Sequence, residues 1–199
     1  AIDLFQRFDV DKGVDDIAAA MDALRALPEV EDRGIGYVGF CLGGKLAYLT
    51  AARTDAACSI GYYGMGIEQL LDEAPNIKGR LVLHFAEQDV YCDANARAAI
   101  GEVLGKLPKA EVYSYPGVDH AFARPNGMHF DKPAALMAHE RSIGALKREI
   151  GPDFDLSQLW EDHIHHEFAA RDVPATMATM VAQPYVNHIP TMTGGVGQD

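Results

Sequence analysis

The sequence predicts an α/β protein, with a parallel sheet covered by helices on both faces, followed by a shorter segment of α+β character. Short apolar runs alternate with helical patterns through the first 150 residues, and strands joined by helical crossovers lie parallel. Gly36–Phe40 runs through Cys41 and two glycines straight into an alanine-rich stretch, a strand, sharp turn and helix in one unit. The 199 residues are 48% apolar, enough for one sizeable core.

Val14, Ile17, Met21, Leu24 and Leu27 recur at helical spacing before Pro28 and predict a first amphipathic helix. After the Gly36–Phe40 strand and the helix from Lys45 to Arg53, further strands are expected at Ala57–Tyr62, Arg80–Phe85 and Glu111–Tyr115. Helical patterns occupy Ile67–Glu73, Asp93–Lys106 and Pro133–Ile150. Past Gly151-Pro152 the composition shifts. A helix over Leu156–Arg171 carrying Trp160 and three histidines, a shorter one over Pro174–Val181 and a strand at Tyr185–Ile189 are expected there. Residues 151–199 are too few for an independent core without staples or metals.

Seventeen basic and 29 acidic residues give a net charge of −12, and no Lys/Arg cluster exists to neutralise phosphates, which argues against nucleic acid. Three cysteines, Cys41, Cys58 and Cys92, form neither a disulfide framework nor a zinc ribbon. No run approaches the roughly 18 apolar residues of a membrane span, and the N-terminus lacks a signal peptide's pattern. A cytoplasmic protein with a small-molecule partner or a protein partner is expected, its oligomeric state left open. The chain opens on Ala1 and closes on a glycine-rich stretch, so both ends are expected to be cuts in a longer product.

Gly39-Phe40-Cys41-Leu42-Gly43-Gly44 places a nucleophile between glycines where a strand meets a helix. Such an elbow strains the nucleophile's backbone and calls for small neighbours two residues away, the role expected of Gly39 and Gly43. The helix N-terminus lowers a thiol's pKa, and the Leu42 N–H is aimed where an oxyanion would form. The competing reading is a structural cysteine in a tight turn. An elbow implies an acid after a later strand and a histidine after the last one. Asp89 follows the third strand and His120 the fourth, in that chain order. Glu87 and Asp119 are rival acids. His84 is a rival histidine, though its place inside a strand suits a core residue better.

These residues, with the Gly61-Tyr62-Tyr63-Gly64 strand end and His120-Ala121-Phe122-Ala123-Arg124, resemble the dienelactone hydrolase (carboxymethylenebutenolidase) family of the α/β-hydrolases from about Phe8 to Ile150. The resemblance implies a three-layer fold and a hydrolase that opens a small lactone or ester through a Cys41–His120–Asp89 triad and an acyl-cysteine. It implies Leu42 N–H as an oxyanion donor, Arg124 as a contact for the substrate carboxylate, and Tyr62 as a pocket wall. In that family further strands precede the elbow and carry a second oxyanion donor, an acidic residue and another arginine. Only 40 residues precede Cys41 here, so the early strands are expected to be missing and the Gly36–Phe40 strand to lie at an unpaired edge. A partial hydrolase domain over 1–150 is expected, then over 151–199 the start of a SnoaL-like domain, which Trp160–His163 and His188–Gly195 resemble.

Other signals are weaker. Gly34–Gly39 matches GxGxxG by letter, but neither follows a strand nor opens a helix, so no nucleotide cofactor is expected. His163 and His166 share a helix face without the further ligands a metal needs, so no metal is expected either. Met177 and Met180 read as core residues. Two alternatives to the lactone hydrolase stand: a general carboxylesterase, and a truncated, catalytically incompetent fragment or assembly module.

Overall fold

The computed structural model describes residues 7–31, 33–152, 155–188 and 193–196. The chain divides into two compact units, 1–151 and 152–199.

In the first unit the elements run α1 (Val10–Arg25), β1 (Gly36–Phe40), α2 (Leu42–Arg53), β2 (Cys58–Tyr62), β3 (Arg80–Ala86), α3 (Ala94–Leu104), β4 (Ala110–Tyr115) and α4 (Lys132–Ile150). The four strands form a parallel sheet in the order β1-β2-β3-β4. Strand alternation decides what each helix covers. Leu81, Leu83 and Phe85 of β3 pack with Val14 of α1, Leu46 and Leu49 of α2, and Ile100 and Leu104 of α3. Val82 and Ala86 point the other way, with Ile60 and Tyr62 of β2, onto Ala134, Ala138 and Ala145 of α4. The result is three layers, with a run of buried alanines letting α4 lie close against the sheet.

β1 is at the sheet's edge among the described residues, and its Val38 and Phe40 are 43% and 51% exposed. The helix expected over Ile67–Glu73 is instead two 3-10 turns, Ile67–Gln69 and Leu71–Asn76. Pro75 lacks the N–H an α-helix would need there, and Gly66 enters the segment with a left-handed φ of 73°. The other predicted elements appear with ends moved by a few residues.

The second unit contains α5 (Leu156–Ile164), a π-helical continuation (His165–Ala170), α6 (Val173–Ala178) and an antiparallel pair, β5 (Tyr185–His188) with β6 (Thr193–Val196). The single helix expected over Leu156–Arg171 therefore changes winding at His165 and stops at Arg171, whose φ is 53°. Ile189, the expected end of the last strand, lies outside the described residues. No helix among the described residues is long and apolar enough to cross a membrane.

Candidate active site

Six α-helices are described, and five begin with an aspartate whose carboxylate accepts a first-turn N–H: Asp9, Asp93, Asp131, Asp155 and Asp172. The exception is α2, which begins at Cys41 with no side-chain cap. Its first N–H, that of Leu42, is among the groups that lower the Cys41 thiol. A helix terminus that elsewhere in this chain is closed by a carboxylate is here left to a sulfur and to whatever approaches it.

The elbow is strained as its type requires. Cys41 has φ 56° and ψ −115°, outside the regions an L-residue prefers. Gly39 is obligatory, because a Cβ there would run into the Gly43 carbonyl. Gly43 is not: a Cβ there would find only the Tyr37 hydroxyl, 3.6 Å away. The demand falls on Gly44, where a Cβ would sit 2.5 Å from the Tyr62 carbonyl oxygen. Its lack of a side chain lets α2 seat directly on the end of β2. Cys41 N–H donates to that same carbonyl at 3.0 Å, which fixes the elbow to β2.

Asp89 lies in the loop after β3 and His120 in the loop after β4. Asp89 Oδ2 is 2.7 Å from His120 Nδ1, and Asp89 Oδ1 accepts the Tyr91 N–H at 2.9 Å. With Nδ1 so engaged, Nε2 is the ring nitrogen left to act on Cys41, whose thiol and the imidazole shift one another's charge state. The Asp89 bond, then the Cys41 bond, raises His120 to about 9. The hydrogen bond from His120 leads the factors that lower the Cys41 thiol, with the Leu42 N–H contributing and burial opposing. Both shifts point to a thiolate–imidazolium pair near neutral pH. The buried Cys58 and Cys92 move the other way, pushed up by burial to about 11 and about 12.

The rival residues have other partners. Glu87 Oε2 accepts the Gly117 N–H at 2.8 Å and so ties the Asp89 and His120 loops together. Asp119 accepts the His120 N–H and pairs with His129 at 3.0 Å. His84 is fully buried, with Nδ1 3.0 Å from the Tyr115 hydroxyl and Nε2 3.0 Å from Ser142 Oγ. Burial, aided by the Arg141 charge, pushes it down to about 3.

Tyr62, expected as a pocket wall, is turned to the other side of the sheet. Tyr62 is the strand's last residue, and its side chain faces α4, where its hydroxyl is 2.6 Å from Ser142 Oγ and its ring stacks on Phe40. Strand alternation turns it away from His120, so it does not line the site. Tyr63, one residue on and at φ 39°, packs its buried ring 5.1 Å from that of His120. Tyr91 also meets His120 at 5.1 Å, edge to face. Neither was identified in the sequence; an aromatic beside each loop's strand end was the available signal. Arg124 is exposed, with no carboxylate partner among the described residues. No cluster of His, Cys, Asp and Glu among the described residues could hold a metal ion; in the second unit His163 is engaged by Thr179 and Glu167.

The family model described as the dienelactone hydrolase family matches residues 2–150. Carboxymethylenebutenolidase 1 of Cupriavidus pinatubonensis is 39% identical over 146 residues, covering 73% of this chain and 62% of the relative. Carboxymethylenebutenolidase of Pseudomonas putida is 37% identical over 146 residues, covering 73% and 61%. The chain thus spans about six-tenths of the length of these curated relatives. Among solved structures, a dienelactone hydrolase-like promiscuous phosphotriesterase from metagenomic libraries superposes with a TM-score of 0.59 at 20% identity, covering 67% of this chain and 59% of the other. At that identity the likeness is one of fold.

Proposed function

The chain belongs to the dienelactone hydrolase family, and from that premise we propose that it hydrolyses a small lactone or ester, of the kind the carboxymethylenebutenolidases are named for, with Cys41 as nucleophile. The observation that carries this is His120, hydrogen-bonded through Nδ1 to the buried Asp89 carboxylate and electrostatically coupled to the Cys41 thiol, which stands in a strained elbow at an uncapped helix start.

The thiolate adds to the substrate carbonyl, and the Leu42 N–H stabilises the oxyanion. As the carbonyl re-forms, the acyl C–O bond breaks, and the departing enolate or alkoxide takes the proton from His120 Nε2. Water then gives a proton to His120 and attacks the thioester. The C–S bond breaks and the thiolate returns, so one water is consumed. Asp89 holds the imidazole in the needed tautomer and stabilises its cation throughout. Arg124, a guanidinium without an anionic partner among the described residues, is suited to a carboxylate on the substrate.

Cys41→Ala is expected to abolish lactone turnover in the intact protein, and retained turnover would overturn the assignment. Cys41→Ser separates the two hydrolase readings. If it keeps activity on simple esters, the chemistry is that of a general esterase and the preference for lactones resides in the pocket.

A further inference from the structure

His120 has two aromatic neighbours at the same ring separation, but in different surroundings. Tyr63 is 3% exposed and packs against Phe122 in the cluster that Cys41 also abuts. It therefore stands on the buried side of the site. Tyr91 is 59% exposed and Val90 beside it 81%, an apolar lip on the loop that carries Asp89. Its N–H is held on Asp89 Oδ1, and its ring meets the imidazole in a T-shaped contact.

The order of the reaction assigns these two sides. On the reading above, the alcohol half of an ester leaves first, while the acyl half stays bonded to Cys41. It leaves from hydrogen-bond reach of His120 Nε2, within about 3 Å, and toward solvent. The exposed aromatic beside that imidazole is the wall it passes. We propose that Tyr91, with Val90, forms the leaving-group subsite, so that this pair sets the preference for the alcohol portion of acyclic esters while the acyl side is read elsewhere. The inference rests on the cysteine-hydrolase reading and deepens it.

The same wall operates in reverse. An added alcohol can replace water in the second half-reaction: its oxygen attacks the thioester, its proton passes to His120, the C–S bond breaks, and a new ester leaves. Trapping of the acyl-enzyme therefore reports the subsite independently of acylation rate.

The test uses the intact protein with two ester series. One varies the alcohol from methyl to benzyl at constant acyl group, and the other varies the acyl group as methyl esters. Tyr91→Ala is expected to lower kcat/KM about tenfold more for benzyl than for methyl esters, to leave the acyl series parallel to wild type, and to reduce benzyl alcohol trapping by a similar factor. Tyr91→Phe keeps the ring and is expected to keep the preference. A uniform loss across alcohols, a loss that follows the acyl group, or unchanged trapping by benzyl alcohol would overturn the subsite while leaving the nucleophile assignment standing. Turnover that survives Cys41→Ala would remove the reading beneath it, and the subsite with it.

Discussion

On the proposed reading Asp89 sets the charge state of Cys41 from a distance, and Asp89→Asn tests this. His120 sits at about 9, against an ordinary value of 6.5, which corresponds to roughly 3 kcal/mol in favour of its cation. Its side chain is only 18% exposed, so little of that is lost to solvent screening, and the Asp89 hydrogen bond is the largest cause. Removing the carboxylate's charge should cost the imidazolium about 2 kcal/mol, enough to move the proton from His120 back toward the sulfur near neutral pH. Direct repulsion between Asp89 and the thiolate works the other way, but it is the last of the factors acting on Cys41. The assay is iodoacetamide alkylation followed peptide by peptide from pH 5 to 10. In the wild type Cys41 should react with a midpoint below the ordinary thiol value of about 8.5, while Cys58 and Cys92, buried and raised, stay unlabelled as internal controls. In Asp89→Asn the midpoint should rise, and labelling at pH 6.5 should fall at least tenfold. A wild-type midpoint at 8.5, or an unmoved midpoint in the variant, would refute the coupling.

Three further outcomes concern stability and can be read from urea denaturation. Gly39→Ala should cost about 3 kcal/mol or more, since the new methyl meets backbone, while Gly43→Ala should change stability by less than about 1 kcal/mol. Ser142→Ala removes the acceptor shared by the Tyr62 hydroxyl and His84 Nε2 and should cost about 2 kcal/mol. Ala121 holds φ 64° beside His120, so Ala121→Val should lose about 2 kcal/mol, whereas Ala121→Gly should stay within about 1 kcal/mol of wild type.

Much of this was legible in the sequence because it is local. Alternation of strand and helix patterns placed the four parallel strands, and the cysteine between glycines located the elbow. The spacing of Asp89 and His120 after two strands led to groups that do hydrogen-bond. What failed depended on geometry that spacing does not carry. Tyr62 and Tyr63 are adjacent in sequence and face opposite ways, so the direction of Tyr62 could be told only from the residue at which β2 ends. Gly43 and Gly44 are likewise adjacent, but only the approach of α2 to the Tyr62 carbonyl shows which is constrained. The apolar spacing of Ile67–Glu73 read as a helix because periodicity registers side chains, whereas Pro75 and Gly66 act on the backbone.

The register of the sheet explains how loops leaving three strands deliver groups to one place. Phe40, Tyr62, His84 and Tyr113 are mutual Cα partners on β1 to β4, so four rings form one rung across the sheet, 4.7, 4.6 and 5.7 Å apart in turn. Arg141 of α4 closes the β4 end, with its guanidinium 4.0 Å above the Tyr113 ring. The polar atoms of the rung allow one proton arrangement. Ser142 donates to the Ala138 carbonyl, so its oxygen accepts from Tyr62 and from His84 Nε2–H; His84 Nδ1 then accepts from Tyr115, whose oxygen accepts from Arg141. That arrangement needs a neutral His84, which its depressed pKa supplies at every pH where the protein would work. The backbone ladder then continues one step past the rung: Cys41 N–H binds the Tyr62 carbonyl, and Tyr63 N–H binds that of His84 at 2.7 Å. Cys41 and the ring that packs on His120 thus leave the sheet at one level, fixed by a layer of side chains beneath them. A change at His84 or Ser142 should therefore reach the site as a shift in where Cys41 and Tyr63 stand, lowering kcat and, because the interaction with His120 leads the factors that lower the Cys41 thiol, raising the pH midpoint of its iodoacetamide alkylation.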